Sequence, residues 1–558
     1  MKFNDKWVVA DFETTTKEYY DKYGHTCVWL YAISNSRGEV INWGQTLDMF
    51  MQYCRDNLSG YTIYFHNLKF DGSFILNWLL NKEYQYKDRL YKNDNKGYTT
   101  LISEEGAFYQ ITINFRKGCQ ITIQDSLKLL PFSVKNIAYG FNLPIKKGEI
   151  DYNNYTITDE VLDYVFNDVS IVALALNDIK TNGMNYMTTA SCAYHNFLDT
   201  CIFANSFFPV LDEEFLIEWR KAYRGGRSQV NPIFKNVILH NVKRYDINSM
   251  YPYIMHDMEL PIGMPIKCEE IGKYKFELYK VDIEFSLKDN HLPTLLKKNT
   301  LYGDGSYYEE SDGIIELHIS SIDYQILLRH YDIKYIKFIE IWGFKTTTCL
   351  FKNYIDKWYK VKNENTGAKR IIAKLMLNSL YGKFGSNCKG KSKIPLIEED
   401  GSLGFKLGEE VSMRKYYLPI AIAITSYAHL LIDDAIMETG YDNFVYCDTD
   451  SVHTLGTLPM DMVDKSILGK FKLEGIEIKS KYVRQKTYIF TEFVDNELEY
   501  VITCAGMDDK TKNKALSMYG ENIFDVFQEG FEITGTKLMP KQVKGGVILV
   551  ETSFKIKE

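Results

Sequence analysis

At 558 residues, 45% hydrophobic and 25% charged, the chain is too long for one hydrophobic core and lies in the ordinary globular range, so several domains on one polypeptide are expected. A net charge of -7 excludes a generally basic nucleic-acid coat but not a channel with a local positive lining, and the 15% aromatic content, with 42 Tyr, suits stacking surfaces as well as cores. Ten scattered Cys without a CxxC pair or zinc-finger spacing, and the charged opening MKFNDKW, predict a reduced, cytoplasmic chain without disulfides or a signal peptide.

Strand-like runs at Trp7 to Ala10, Thr62 to Phe65, Ile111 to Asn114 and Gln120 to Ile123 alternate with helical ones. They end in an apolar-periodic stretch from Asp159 to about Ile179, which predicts a mixed α/β domain closing on a helix. In VVADFETTT, Asp11 and Glu13 are two apart on a strand and so share a face. HNLKFDGSF places Asn67 and Asp71 four apart where a loop enters a helix, and YVFNDVSIV places Tyr164 and Asp168 four apart on a helix. Each motif alone is weak, because acidic pairs are commonly solvated. Together, four carboxylates from three elements can hold a pair of Mg²⁺ or Mn²⁺ ions, which take oxygen ligands. His66, Phe70 and Phe74 either stack on unpaired bases or pack in the core.

In that combination and order the segment resembles the DEDD-type 3′-to-5′ exonucleases with an RNase H-like fold, in the subtype with Tyr before the last Asp. The resemblance implies metal binding by Asp11, Glu13, Asp71 and Asp168 and orientation of an attacking water by Tyr164. Asn67, His66 and Phe70 become candidates for holding single-stranded DNA. Lys147, in KKGEID, matches a lysine that in some of these domains contacts the scissile phosphate, or else forms a surface basic pair with Lys146.

From Arg244 a strand-like run leads into Tyr245, Asp246 and Ile247 within RYDINSMYP. Pro252, Pro261, Pro265 and several Gly then break the pattern up to about Trp342, which predicts an inserted, loop-rich β unit. A helical pattern spans roughly Phe351 to Phe384 with a turn near Asn365 to Gly367, and carries Arg370, Lys374, Asn378 and Tyr381 on one face. A basic helix face is ordinarily solvated; between flanking Asp motifs, with Gly382 and Gly385 at its end, this one is suited to a triphosphate. The polar stretch Ser386 to Gly408 reads as a smaller insertion or hairpin. The most apolar run, Tyr416 to Ile432, is interrupted by Pro419, Ser426 and His429 and meets Asp433 and Asp434, which predicts a buried helix and no membrane span. VYCDTDSV then sets Asp448 and Asp450 two apart on a strand or tight hairpin, where with Asp246 they would form a second two-metal centre.

These three segments resemble the family-B DNA polymerases through DxxSxYP, KxxxNSxYG and YxDTDS. YRGG at Tyr223 to Gly226 and RQKTY at Arg484 to Tyr488 extend the likeness, in family order, over nearly the whole chain. The resemblance implies metal binding by Asp246, the carbonyl of Ile247 and Asp450, with Asp448 beside them. It implies a steric gate at Tyr251, nucleotide binding by Lys362, Arg370, Lys374, Asn378 and Tyr381, and DNA contacts by Tyr223, Gly225, Gly226, Lys486 and Tyr488.

Size, two insertions and the late motifs CAGM and KGGVILV further resemble the protein-primed branch of small tailed bacteriophages with linear genomes, the phi-twenty-nine type. That implies an α/β multi-domain chain: an RNase H-like exonuclease domain (1–188) and a right-hand polymerase domain. The latter divides into a first palm part (189–257), a first insertion facing a terminal protein (258–349), fingers (350–385), a second insertion for processivity and strand displacement (386–417), a second palm part (418–513) and a thumb (514–558). Two Mg²⁺ or Mn²⁺ ions per active site, primer-template and single-stranded DNA, dNTPs and a terminal protein are the implied cofactors and partners, for a monomer in the host cytoplasm. A stand-alone nuclease would not explain Asp246, Lys374 and Asp450, a DNA-binding scaffold would not need two carboxylate sets, and a polymerase primed by nucleic acid would share the catalytic motifs.

Overall fold

A computed structural model describes residues 6–297 and 306–557; the charged opening up to Asp5, residues 298–305 of the expected first insertion and Glu558 lie outside the described residues. The first unit is an eight-stranded sheet in the order Val40–Gly44, Val28–Asn35, Trp7–Thr14, Thr62–Phe65, Cys119–Asp125, Phe108–Arg116, Gly97–Ile102, Gln85–Tyr86. Trp7–Thr14 runs antiparallel to Val28–Asn35 and parallel to Thr62–Phe65. Its alternation divides two cores: Val8, Ala10 and Phe12 pack with residues of the Leu47–Asn57 and Leu68–Asn81 helices, whereas Trp7 and Val9 pack with the Asp159–Thr181 helix. Asp11 and Glu13, in phase with Trp7 and Val9, therefore belong to the face covered by that last helix.

A five-stranded sheet follows, in the order Phe471–Glu477, Val242–Ile247, Ser451–Thr454, Phe444–Asp448, Ser228–Val230. Leu418–Thr439 is long and apolar enough to cross a membrane by length and composition, but Ile420, Ile422, Ile424 and Ile432 have no exposed surface and pack into the main core. It is the buried helix that its interrupted hydropathy implies, started by Pro419 in its first turn.

The middle of the chain departs from the loop-rich reading. It is a four-stranded sheet, Leu260–Cys268, Tyr331–Thr347, Phe276–Leu287, Ile315–Ser320, with a helix at Ser321–His330. Pro261 and Pro265 are tolerated because Leu260–Cys268 is an edge strand with an irregularity between Ile262 and Ile266, where Gly263 takes φ +77°. The helix had a signal in the sequence: Ser320 caps it by accepting from the amide of Asp323.

Two helices, Lys352–Glu364 and Gly367–Phe384, form the helical pair, and the polar stretch is the hairpin Lys389–Ile397/Leu403–Ser412. At the C-terminus, Asp509–Tyr519 and the hairpin Glu532–Val543/Gly546–Lys555 share a core with the sheet Lys479–Arg484, Thr487–Val494, Glu497–Cys504. The boundary expected at 513/514 falls inside the continuous helix Asp509–Tyr519 and is corrected accordingly. The tip of this last hairpin docks on the first unit: Thr26 N–H donates to the Lys544 carbonyl (3.0 Å) and Gln542 Nε2 to Ser73 Oγ (2.9 Å). All ten Cys are free.

Two candidate carboxylate centres

The first centre assembles Asp11 and Glu13 from a strand, Asp71 from the first turn of Leu68–Asn81, and Asp168 from Asp159–Thr181. Glu13, Asp71 and Asp168 are buried. Burial, and then the charge of Asp168, pushes Asp11 up to about 7; burial and the neighbouring carboxylates also raise Glu13 and Asp71. Asp168 is raised by burial against the opposing Lys147, whose ammonium pairs with Oδ2, while its buried Oδ1 has no hydrogen-bond partner. An orphaned acceptor among mutually repelling carboxyls is what hard-cation ligands look like, so these residues fit Mg²⁺ or Mn²⁺.

Tyr164 is buried, its hydroxyl 3.0 Å from that of Tyr152, and the Lys147 ammonium lies 4.8 Å from its ring centroid. Lys147 thus belongs to the centre, whereas Lys146 is exposed. Both nitrogens of His66 are engaged inside the fold, Nδ1 with Ser126 Oγ (2.9 Å) and Nε2 with the Phe132 carbonyl (2.7 Å). Of the other side chains expected around this motif, Asn67 is exposed, Phe70 is half-buried and Phe74 is core.

Asp125 escaped the sequence reading. Its Oδ1 accepts from the amides of Asn67 (3.1 Å), Leu68 (3.3 Å) and Leu127 (3.0 Å), tying the strand end to the helix start that carries Asp71. Asn67 takes φ +71° there, a conformation Asn tolerates. The signal was the Asp-Ser-Leu run after a strand, which reads as an Asx turn.

The second centre lies where Val242–Ile247 pairs with Ser451–Thr454, so that Asp246 is opposite Ser451, and Asp448, Thr449 and Asp450 form the hairpin turn. The Ile247 amide donates to the Asp450 carbonyl (2.8 Å), locking the two motifs together. Burial, then Asp450 and Glu474, pushes Asp246 up to about 7, and burial raises Asp450. Glu474 and Lys472, which moderates Asp246, were not singled out from sequence. Asp448 is different: Lys486 Nζ holds both its oxygens, at 2.7 and 2.8 Å. It anchors Lys486 beside Asp450.

On Gly367–Phe384, Ile372, Ala373, Met376, Leu377 and Leu380 are buried, leaving Lys374 and Asn378 exposed and Arg370 and Tyr381 half-buried. Arg370 donates to the Lys362 carbonyl (2.7 Å) and Lys362 to Ser249 Oγ (2.8 Å), between the Asp246 strand and Tyr251. Burial, then the charges of Lys374 and Arg370, lower the Lys362 pKa against the pull of Asp246, so three cations lie close together beside that carboxyl. Tyr251 and Tyr381 stack with centroids 4.0 Å apart. Tyr223 lies under the end of this helix, where a Cβ on Gly385 would come within 2.7 Å of its ring. Gly226 abuts Thr449, the Gly225 carbonyl accepts from His429 Nε2 (2.7 Å), and Tyr488 stacks among Tyr446, Tyr482 and Phe490. A further acidic group, Glu218, Glu316 and His318, is neutralised by Lys221 and Lys280.

A family described as DNA polymerase type B, organellar and viral, matches residues 54–156 and 149–467. The DNA polymerase of Bacillus phage Nf is 37% identical, covering 99% of this chain and 100% of that protein. Two solved structures of phi29 DNA polymerase each cover 99% of this chain and 100% of their own at 37% identity. One is complexed with primer-template DNA and incoming nucleotide substrates (TM-score 0.89), the other with single-stranded DNA (TM-score 0.88).

Proposed function

The chain belongs to the organellar and viral type B DNA polymerases, and from that premise we propose that it copies DNA from a primer 3′-hydroxyl at Asp246 and Asp450, trims unpaired 3′ ends at Asp11, Glu13, Asp71 and Asp168, and starts viral genomes from a terminal protein. The observation that carries the two-site reading is the presence, in one chain, of two separate groups of buried or half-buried carboxyls held above their ordinary range, only one of which has a cluster of cations facing it.

In synthesis, Lys362, Arg370 and Lys374 screen the triphosphate, and the stacked Tyr251 and Tyr381 pack on its sugar and base. Tyr251 excludes a 2′-hydroxyl by occupying its space, and Lys486, oriented by Asp448, lies along the primer strand. Asp246, Asp450 and the Ile247 carbonyl would hold divalent cations in one centre and the four carboxylates would hold them in the other; when bound, such ions would supply acidification of the attacking oxygen and neutralisation of the leaving one. In trimming, Tyr164 orients the attacking water and Lys147 balances the charge of the phosphate and of Asp168.

The inserted unit around Tyr331–Thr347 and the hairpin Lys389–Ser412 support the protein-primed branch, with the chain acting as a monomer in the host cytoplasm. Extension of a labelled primer-template with Mg²⁺ tests the reading. Asp450→Ala should abolish extension and keep trimming, and Asp11→Ala with Asp71→Ala should do the reverse. Trimming without extension by the parent chain would sink the polymerase assignment. Initiation that proceeds equally without a priming protein would sink the protein-primed one.

A further inference from the structure

Asp433 lies in the C-terminal third of the apolar helix Leu418–Thr439, its side chain without exposed surface. Helices of this composition do not need a charge, and burying one is costly unless it is fully partnered. Asp433 is partnered by three groups from two directions. Arg227 Nη1 donates to Oδ1 at 2.9 Å and His330 Nε2 lies 2.8 Å from the same oxygen. Arg329 Nη1 donates to Oδ2 at 3.0 Å and also to Asp434 at 2.7 Å.

These partners are not scattered. Arg329 and His330 close the helix of the inserted four-stranded unit. Arg227 follows the YRGG loop directly, and its carbonyl accepts the Thr449 amide at 2.7 Å. Thr449 is the residue between Asp448 and Asp450, in the left-handed region at φ +58°, where a threonine is strained and must be held by its surroundings. The next residue, Ser228, pairs with Asp448 in the sheet and has its amide bonded to Tyr307 Oη of the same inserted unit (3.0 Å).

We propose that Asp433 is a positioning residue: through Arg227 it holds the turn that carries Asp448 and Asp450, and through Arg329 and His330 it makes the shape of that turn depend on the docking of the inserted unit. A ligand that shifts the inserted helix then alters synthesis without touching the first carboxylate centre. The inference rests on Asp450 being a polymerase metal ligand, as proposed above. The cluster touches neither substrate nor metal, so its effect is on geometry.

The test uses the full chain and the isosteric Asp433→Asn, in which the charge is lost and the shape kept. Nucleotide-addition kcat and KM, the Mg²⁺ concentration for half-maximal extension and 3′ trimming of single-stranded DNA are measured on the same preparation. The expected result is a fall in kcat of tenfold or more and a rise in half-saturating Mg²⁺ of threefold or more, with KM for the nucleotide and trimming within twofold of the parent. Arg329→Gln, which cuts one of the two contacts to the inserted unit at a partly exposed side chain and leaves His330 in place, should shift the Mg²⁺ requirement in the same direction by less. Arg227→Gln should add nothing to Asp433→Asn.

A lower melting temperature with unchanged kcat and Mg²⁺ requirement would make Asp433 a stability device and overturn the inference. If Asp433→Asn loses trimming as well, Arg329→Gln decides, and its unchanged extension also overturns it. Retained extension in Asp450→Ala would instead remove the reading on which the inference stands, a result distinguishable from either.

Discussion

Gly545 and Gly546 form the turn of the C-terminal hairpin at φ +96° and +155°, and a Cβ on Gly545 would lie 2.1 Å from the Thr26 backbone oxygen. Thr26 cannot yield as a flexible side chain could, so in Gly545→Ala the tip must withdraw. Withdrawal breaks the Thr26-to-Lys544 and Gln542-to-Ser73 hydrogen bonds, each contributing about 1 kcal/mol, and exposes Val547, whose burial contributes roughly 1.5–3 kcal/mol. The docked state should lose roughly 3.5–5 kcal/mol relative to the undocked one, a factor of about 4 × 10² to 5 × 10³. Hydrogen exchange at the Thr26 amide reads this directly, since Lys544 is its acceptor, and protection should fall about 100-fold or more. The tip also rests on Ser73 and Phe74, in the helix whose first turn carries Asp71, so the ratio of trimming to extension should change in the same variant. Unchanged Thr26 protection would refute the steric argument, whatever the activities do.

Asp11 and Asp246, each raised to about 7, hold protons below neutrality, and only their ionised forms bind a cation. Raising the pH from 6 to 8 should therefore lower the half-saturating Mg²⁺ of both activities, by up to about tenfold per pH unit below 7, and a pH-independent requirement would contradict it. Lys486→Met frees Asp448, whose charge raises the Asp450 pKa, so extension at neutral pH should need several-fold more Mg²⁺ while trimming keeps its requirement. Asp433, held down at about 2 by His330 and Arg227 against the penalty of burial, contributes stability that is present above its unfolded pKa near 4 and is lost as pH falls through about 2. The stability gap between the parent and Asp433→Asn, roughly 2 kcal/mol from this source, should close over that range in denaturation curves, and a constant gap would count against the depressed carboxyl.

What the sequence made legible follows from periodicity. Asp11 and Glu13 are two apart on a strand, and the Gly367–Phe384 helix buries Ile372, Met376 and Leu380 while turning Lys374 and Asn378 out, so each motif's face could be read without coordinates. The sheet around Tyr331–Thr347 was less legible because Pro and Gly were taken as breaks, and their tolerance depends on which strand lies at the edge, a property of topology. Partners far apart in sequence were out of reach. The Asp-Ser-Leu run at Asp125 announces a local turn but not that its carboxylate also takes the amides of Asn67 and Leu68 at the start of the helix carrying Asp71, and nothing at Asp448 announces that Lys486 holds both its oxygens.

The two centres differ in how they are held, and this bears on how they fail. Asp71 and Asp168 lie within helices and Asp11 and Glu13 within a paired strand, so the backbone ladder itself fixes them, and local changes there should act mainly by removing ligands. Asp448 and Asp450 flank a strained Thr449 in a turn, and the Thr449 amide is held by Arg227 while Lys486, from another sheet, holds Asp448. A turn of this kind has alternatives close in energy, so its geometry is set by contacts from outside it. Synthesis is thereby open to influence from residues that never meet DNA, and trimming is comparatively shielded. Separation-of-function variants distant from both centres should for that reason impair extension more often than trimming.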